Sequence, residues 1–183
     1  MRNQSFFLVT TFALGVATAA SMLLPVARVA AEEGGYFLPL ALAQKAANAS
    51  IASGAGSGYA VSAAIVDTSG VIKLEAKGDH STVHTTTSAF RKAYTVVTLG
   101  PISRFDDSSA FALLAAKNPN GAALVTLPDI AALPGGVAIK VGEEIIAALG
   151  VSGSPGGDKD EVCAAAGVDS IREDLAALFP GRR

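Results

Sequence analysis

The sequence predicts an α+β fold in which helices cover an antiparallel β-sheet. Two segments, residues 59–77 and 137–151, carry the pattern of a β-hairpin, which joins strands in antiparallel order. Segments with helical spacing of apolar residues lie before, between and after the two hairpins. We therefore expect a sheet whose apolar faces are buried under these helices.

The chain after its N-terminal region begins with a helix and then the first hairpin. Residues 38–53 are rich in alanine, with apolar positions close to helical spacing, and the glycines of residues 54–58 end this helix. The first hairpin strand, residues 59–67, is rich in small and β-branched residues, which predicts a central strand buried on both faces. The second, residues 71–77, alternates polar and apolar residues, which predicts one face in water.

Two helices are predicted to follow the first hairpin. The longer one covers residues 83–100, begins near the threonines and stops before Pro101. A shorter helix fits residues 106–117, with Asp106 or Asp107 as its N-cap.

The remainder of the chain is predicted to contain the second hairpin and two closing helices. Residues 121–136 indicate an irregular apolar segment with one or two short strands, because two prolines keep it out of a central position. The hairpin arms are residues 137–141 and 144–151, and both are apolar and β-branched. Helical patterns in residues 156–179 close the chain.

The N-terminal residues 1–31 have the pattern of a signal peptide. Arg2 precedes an apolar run at residues 6–20, and small residues near Ala31 predict cleavage there. A retained membrane anchor is the alternative, but polar residues and a proline break the apolar run. We expect a single domain, residues 32–183, in a secreted or periplasmic protein.

Charge and cysteine content exclude several classes of protein. Cleavage would remove two arginines and no acidic residue, so the net charge would move from −2 to −4. An acidic domain without a basic stripe is a poor nucleic-acid binder. Cys163 is the only cysteine, so no internal disulfide is expected, and its apolar helical context predicts a buried thiol.

The strongest candidates for chemistry lie in residues 78–95, hereafter the 78–95 segment. His80 and His84, the two histidines of the chain, are four residues apart, with His80 predicted in the loop and His84 near the first helical turn. Imidazole nitrogens bind zinc, copper or haem iron, and haem needs only one or two such ligands. A site for a free transition metal would need a third donor, such as Asp79. The alternative is that both histidines are solvated loop residues.

Two basic residues follow these histidines on the predicted helix. Arg91 and Lys92 would suit a haem propionate or a carboxylate substrate, and the alternative is a solvated helix face or an intersubunit ion pair. Phosphate-loop, His-Glu-x-x-His and paired-cysteine motifs are absent from the sequence. The GVSGS stretch of residues 150–154 fails the nucleophile-elbow spacing and predicts a strand end with a turn.

Five short motifs are spread along the chain. They are Val66-Asp67-Thr68-Ser69-Gly70, Lys92-Ala93-Tyr94-Thr95, Pro134-Gly135-Gly136, Leu149-Gly150-Val151-Ser152-Gly153 and residues 160–164. Together they resemble the GlcG/HbpS family of haem-binding proteins, and the resemblance covers residues 38–167. One motif departs from the family, because its Asp-Gly-Ala loop reads Asp79-His80-Ser81 here. The lost glycine removes a residue that tolerates positive φ, and a histidine takes its place.

The resemblance implies a domain with an antiparallel sheet of about five strands flanked by helices. It also implies homo-oligomers, often octamers built from dimers, and secreted members that bind haem in haem handling or redox sensing. Thr95 matches a threonine that contacts haem in the family, while histidine ligation in other relatives keeps His84 and His80 as candidate ligands of the iron.

These observations together predict an exported haem-binding protein that is not an enzyme with a nucleophile. Haem b is the expected cofactor, bound in an apolar cleft beside the 78–95 segment, and neither nucleic acid nor a lasting membrane anchor is expected. One alternative is an enzyme or carrier domain acting on a small organic acid or a corrinoid-linked substrate. Another is a purely structural assembly module.

Overall fold

The computed structural model describes residues 35–181, and these residues contain one antiparallel sheet. Its strands are β1 (Ser62–Asp67), β2 (Ile72–Lys77), β3 (Gly136–Val141) and β4 (Glu144–Ser152), in the spatial order β2-β1-β4-β3. Both predicted hairpins are confirmed, and β1 pairs with β4 to join them. The predicted signal peptide, residues 1–31, lies outside the described residues.

Six helices complete the described residues. They are α1 (Leu40–Gly56), α2 (Thr85–Ser103), α3 (Ser108–Lys117), α4 (Gly121–Leu124), α5 (Gly157–Ser170) and α6 (Arg172–Leu178). Asp107, one of the two predicted N-cap residues, caps α3 by accepting a hydrogen bond from the backbone N–H of Ala110 at 2.7 Å. Within residues 35–181, no helix combines the length and apolar character that a bilayer span requires.

The sheet separates two apolar cores, and the alternation of side chains along each strand supplies both. On β1, Ala63 and Ile65 belong to the core that includes residues of α1 and α5. Val66 belongs to the core on the other face, which includes residues of α2 and α3. Because helices cover both faces, β1 is buried along its length except at Asp67, whereas the edge strand β2 is partly exposed, as the sequence predicts.

Helix α2 lies unusually close to the sheet at Gly150 of β4. A Cβ atom at this position would lie 2.0 Å from the carbonyl oxygen of Ala89 and 2.8 Å from the backbone nitrogen of Ala93. No side chain fits in that space, so the glycine allows the α2 backbone to contact the strand directly. This contact determines how deeply the start of α2 sits against the sheet.

Two predictions about the middle of the chain are wrong. Helix α2 does not stop before Pro101 but runs to Ser103, since a proline in the last turn removes only one helical donor. Residues 121–136 contain α4 and irregular backbone instead of one or two short strands. The described sheet therefore has four strands instead of about five, and only a single bridge, between Asp107 and Val137, extends it.

Candidate functional site

The 78–95 segment connects the edge strand β2 to the buried face of α2. Gly78 lies so close to β1 that a Cβ atom there would be 2.1 Å from the carbonyl oxygen of Val61. The chain then turns through His80, whose φ of 63° is in the left-handed region. A residue with a Cβ atom is strained in that conformation, and the family's glycine would not be.

A buried group of hydroxyls holds the turn against β1. Ser62 Oγ lies 2.9 Å from Ser81 Oγ and 2.7 Å from Thr85 Oγ1. Ser81 Oγ donates to the carbonyl of Gly78 at 2.7 Å, and Lys77 Nζ donates to both the Ser81 carbonyl and its hydroxyl. These bonds join the end of β2, the turn and the first residue of α2, so the start of the helix has a fixed position.

Both histidines are exposed on this rigid base. His80 lies in the turn and His84 is the N-cap residue of α2, as the sequence predicts. The Nδ1 atom of His84 is 3.3 Å from Thr82 Oγ1, while the intervening Val83 leaves 93% of its surface in water. Val83 thus lies between the two histidines in sequence, on a short stretch of the chain in which His80, Val83 and His84 are all exposed.

The donors near the histidines suit haem iron better than a free metal ion. Among the described residues, no group of three His, Cys, Asp or Glu side chains could hold a metal ion. A free transition metal usually requires at least three protein donors. Haem iron already has the four porphyrin nitrogens and takes only one or two axial ligands, so a single imidazole is sufficient.

Arg91 lies seven residues after His84, which places the two positions on the same side of α2. Its Nη2 donates to the carbonyl of Ile130 at 2.7 Å. Its Nε is one of the described buried polar atoms that have no hydrogen-bond partner. Arg91 is thus a half-buried cation with an unused donor, two helical turns from His84.

Lys92 lies inside the protein, where the structure gives its charge a protein partner. Its Nζ is 2.6 Å from Asp160 Oδ2 on α5 and 3.0 Å from the carbonyl oxygen of Val151. The other carboxylate oxygen of Asp160 accepts the backbone N–H of Ser154 at 2.9 Å. A Lys92 contact with a propionate would require this pair to open.

Thr95 is also fully buried and hydrogen-bonded. Its Oγ1 donates to the carbonyl of Arg91 at 2.8 Å and accepts the backbone N–H of Ala131 at 2.9 Å. Within the described residues, the hydroxyl therefore joins α2 to the segment before β3. A haem contact through Thr95 would require the chain around Ala131 to move.

Two cavities in the described part of the chain lie away from the histidines. One, of about 680 Å³, is lined by β3, α5 and α6, and the other, of about 510 Å³, lies between the end of α2 and the β3–β4 hairpin. No residue of the 78–95 segment lines either of them. The apolar cleft expected beside the histidines is thus not one of these two cavities.

Sequence reasoning did not identify Asp160 as the partner of Lys92. The signal was present, because Lys92, the Pro134-Gly135-Gly136 turn and Asp160 all belong to motifs that the sequence displays. In the structure these motifs meet. A Cβ atom on Gly135 would lie 2.9 Å from Lys92 Nζ and 2.8 Å from Asp160 Cβ, so the turn packs directly on the ion pair.

One family of known proteins matches most of the chain. The family model described as "Haem degrading protein HbpS-like" matches residues 38–169. No curated protein matches the chain at a significant level.

Several solved structures are similar to the whole described fold. The crystal structure of a double mutant of Streptomyces reticuli HbpS has 30% identity and a TM-score of 0.69, and the match covers 88% of this chain and 99% of that one. A crystal structure of HbpS matches at 30% identity and a TM-score of 0.67, with 90% and 99% covered. The PduOC:heme complex, at 17% identity and a TM-score of 0.65 with 75% and 96% covered, shows the fold alone.

Proposed function

The chain belongs to the HbpS-like family of haem-degrading proteins, and from this premise we propose that it binds haem through the 78–95 segment. His84 is the proposed axial ligand, with His80 as the alternative, and Arg91 faces a propionate. The observation that carries the proposal is the pair of exposed imidazoles on either side of the exposed Val83.

The residues around His84 would hold its imidazole in position to bind the iron. The hydrogen-bonded hydroxyls of Ser62, Ser81 and Thr85 hold the turn in place, so the His84 ring projects from a backbone of fixed position. Thr82 lies beside Nδ1, which leaves Nε2 as the ring nitrogen directed to the ligand. When bound, haem would supply a redox-active iron, and His84 would be its protein ligand.

Arg91 and Val83 would contribute affinity without ligating the iron. Arg91 is two turns along α2 from His84, and a guanidinium pairs well with a carboxylate. Val83 would lose its exposed surface beneath the porphyrin plane, which favours binding by the hydrophobic effect. Lys92 and Thr95 are secondary candidates, since both are buried and must give up protein partners to contact haem, whereas the half-buried Arg91 would give up only its bond to the Ile130 carbonyl.

The decisive test is a haem titration of the purified protein followed by the Soret band. We expect one haem per chain, with affinity lowered roughly tenfold or more and a shifted Soret maximum in His84→Ala. Thr87→Ala, an exposed position in the same helical turn, is the matched control and should bind as the parent does. An unchanged spectrum for the His80→Ala/His84→Ala double variant would remove the ligand assignment, and no Soret change in the parent would remove the function.

The same experiment separates haem storage from haem degradation. With a reductant and oxygen present, a stable Soret band indicates storage or sensing, whereas its progressive loss indicates degradation. The family description favours the second outcome.

Export and self-association are part of the proposal. The signal-peptide pattern of residues 1–31 supports secretion or a periplasmic location, and N-terminal sequencing of exported protein should begin at Glu32. The family supports a homo-oligomer, with an octamer as one form, and light scattering after size-exclusion chromatography gives its mass. A monomer at all concentrations would contradict the second part.

A further inference from the structure

The cavity of about 680 Å³ has the features of a binding site for a small molecule. It lies between the edge strand β3 and the helices α5 and α6, and its volume is in the usual range for such sites. Val137 and Val141 of β3, Val168 of α5 and Leu175 of α6 supply apolar wall, and Phe179 closes one side. The Phe179 ring is held by an edge contact with Tyr36 at a centroid distance of 5.0 Å.

Two cations lie on the wall of this cavity. Lys140 Nζ is 2.9 Å from Asp106 Oδ2 and 3.3 Å from Glu143 Oε2, and its hydrogen bond with Asp106 is the main reason that its pKa is raised. Arg172 pairs with Asp169 three residues earlier, and these side chains are 73% and 61% exposed. Because an ion pair in water contributes little to stability, Arg172 can change its partner at small cost.

Haem is not the ligand that this cavity fits. Among the thirteen residues that line it in the described part of the chain, none is His, Cys, Met or Tyr. Haem iron would therefore find no side chain of the usual ligand types. The cavity is also lined by no residue of the 78–95 segment, so its occupant would be distinct from haem.

We propose that this cavity binds a small amphipathic carboxylate. Its carboxylate accepts hydrogen bonds from Arg172 and Lys140, and its hydrocarbon part packs between Val137, Val168 and Phe179. A carboxylate is preferred to an ammonium group because a guanidinium presents five N–H donors in a fork that matches two carboxylate oxygens. The two acids of the wall, Asp106 and Asp169, already accept from these cations.

Titration calorimetry with hexanoate, octanoate and decanoate tests the proposal. One molecule should bind per chain, and each added methylene should lower the Kd about threefold to fourfold. Octanol and octylammonium, which have the same chain length, should bind at least tenfold more weakly than octanoate. Octylammonium binding as tightly as octanoate, or no octanoate binding to the assembled protein, would overturn it.

Two pairs of variants locate the site. Arg172→Met should weaken the affinity for octanoate at least tenfold and leave the affinity for octanol unchanged. Lys117→Met, which removes an exposed positive charge from α3, should change neither affinity.

Ala176→Trp should block the cavity to all the ligands, whereas Ala177→Trp, at an exposed neighbouring position outside the lining, should not. All four positions are on the surface, and circular dichroism checks that each variant is folded. Unchanged octanoate affinity in Ala176→Trp would place the binding elsewhere and contradict the proposal.

A haem titration in saturating octanoate tests whether haem and the carboxylate bind at separate sites. Independent sites leave haem affinity and the Soret maximum unchanged, and competition would overturn the separate site. Octanoate binding without haem binding would remove only the haem function. Haem binding without octanoate binding would remove only the carboxylate site.

Discussion

Lys92 of α2 and Asp160 of α5 form a buried ion pair, with side chains only 3% and 4% exposed and a distance of 2.6 Å between Nζ and Oδ2. The two residues belong to helices on opposite faces of the sheet, and they meet at the end of β4, where Lys92 also donates to the Val151 carbonyl. The Gly135 turn packs on the pair, and the Ser154 N–H bonds to its carboxylate. The pair thus joins three segments that are distant in sequence, namely α2, the Gly135 turn and the chain from Ser154 to α5.

Removing one member of this pair should destabilise the protein strongly. Lys92→Met leaves the Asp160 carboxylate buried without its cation, and we expect a loss of about 3–5 kcal/mol in the free energy of unfolding. Urea denaturation followed by circular dichroism measures the change. The double variant Lys92→Met/Asp160→Leu should lose less than the sum of the two single variants, because no charge is left buried.

The exposed pair between Lys45 and Asp174 is the control for this prediction. Its two side chains are 52% and 45% exposed, so Lys45→Met should cost about 1 kcal/mol or less. A Lys92→Met variant as stable as Lys45→Met would show that the buried pair does not hold these segments together.

The Lys92–Asp160 pair shows which features the sequence predicts and which it does not. Local patterns predict the hairpins, the central position of β1 and the Asp107 cap, because each depends on neighbouring residues. Lys92 on a helix favours a solvated or ligand-binding role, since nothing local indicates a partner 68 residues later. Likewise, the contact of α2 with Gly150 of β4 joins residues about 60 apart in sequence, which periodicity does not reveal.

The close contact between α2 and β4 predicts that Gly150 cannot be replaced. In Gly150→Ala, the new methyl group would meet the Ala89 carbonyl oxygen, and moving the helix away should cost about 2–3 kcal/mol. Thermal and urea denaturation would measure the loss. Gly56→Ala is the matched control, because the helical Gly56 has open space around it and alanine there should be neutral or add up to about 1 kcal/mol.

The left-handed conformation of His80 predicts that glycine is the better residue for stability. His80→Gly relieves the strain of a Cβ atom at a φ of 63°, and we expect a gain of about 0.5–1 kcal/mol in the free energy of unfolding. His84→Gly is the comparison, because His84 has a helical φ of −81° and no side-chain cap bond, so the change should be about 0.5 kcal/mol or less. A destabilised His80→Gly variant would mean that the imidazole contributes more than its backbone costs.

The same two variants separate the histidines in haem binding. If His84 is the axial ligand, His80→Gly should retain the Soret maximum of the parent, and His84→Gly should lose it. The reverse result would assign the ligand to His80, and would explain why a strained histidine occupies the position of the family's glycine.

The buried Cys163 thiol predicts a loss of stability in alkaline solution. Burial raises the pKa of this thiol, and the nearby negative charge of Asp160 acts in the same direction. Above about pH 8.5, the unfolded chain ionises at its cysteine while the folded chain keeps the thiol neutral, so ionisation stabilises only the unfolded state. The stabilising contribution of the neutral Cys163 thiol is therefore fully present at neutral pH and falls as the pH rises towards the folded pKa.

Urea midpoints from pH 7 to pH 10 measure this loss of stability, and Cys163→Ala should show a shallower decline because the titrating group is gone. Parallel declines in the two proteins would mean that other groups cause the alkaline instability.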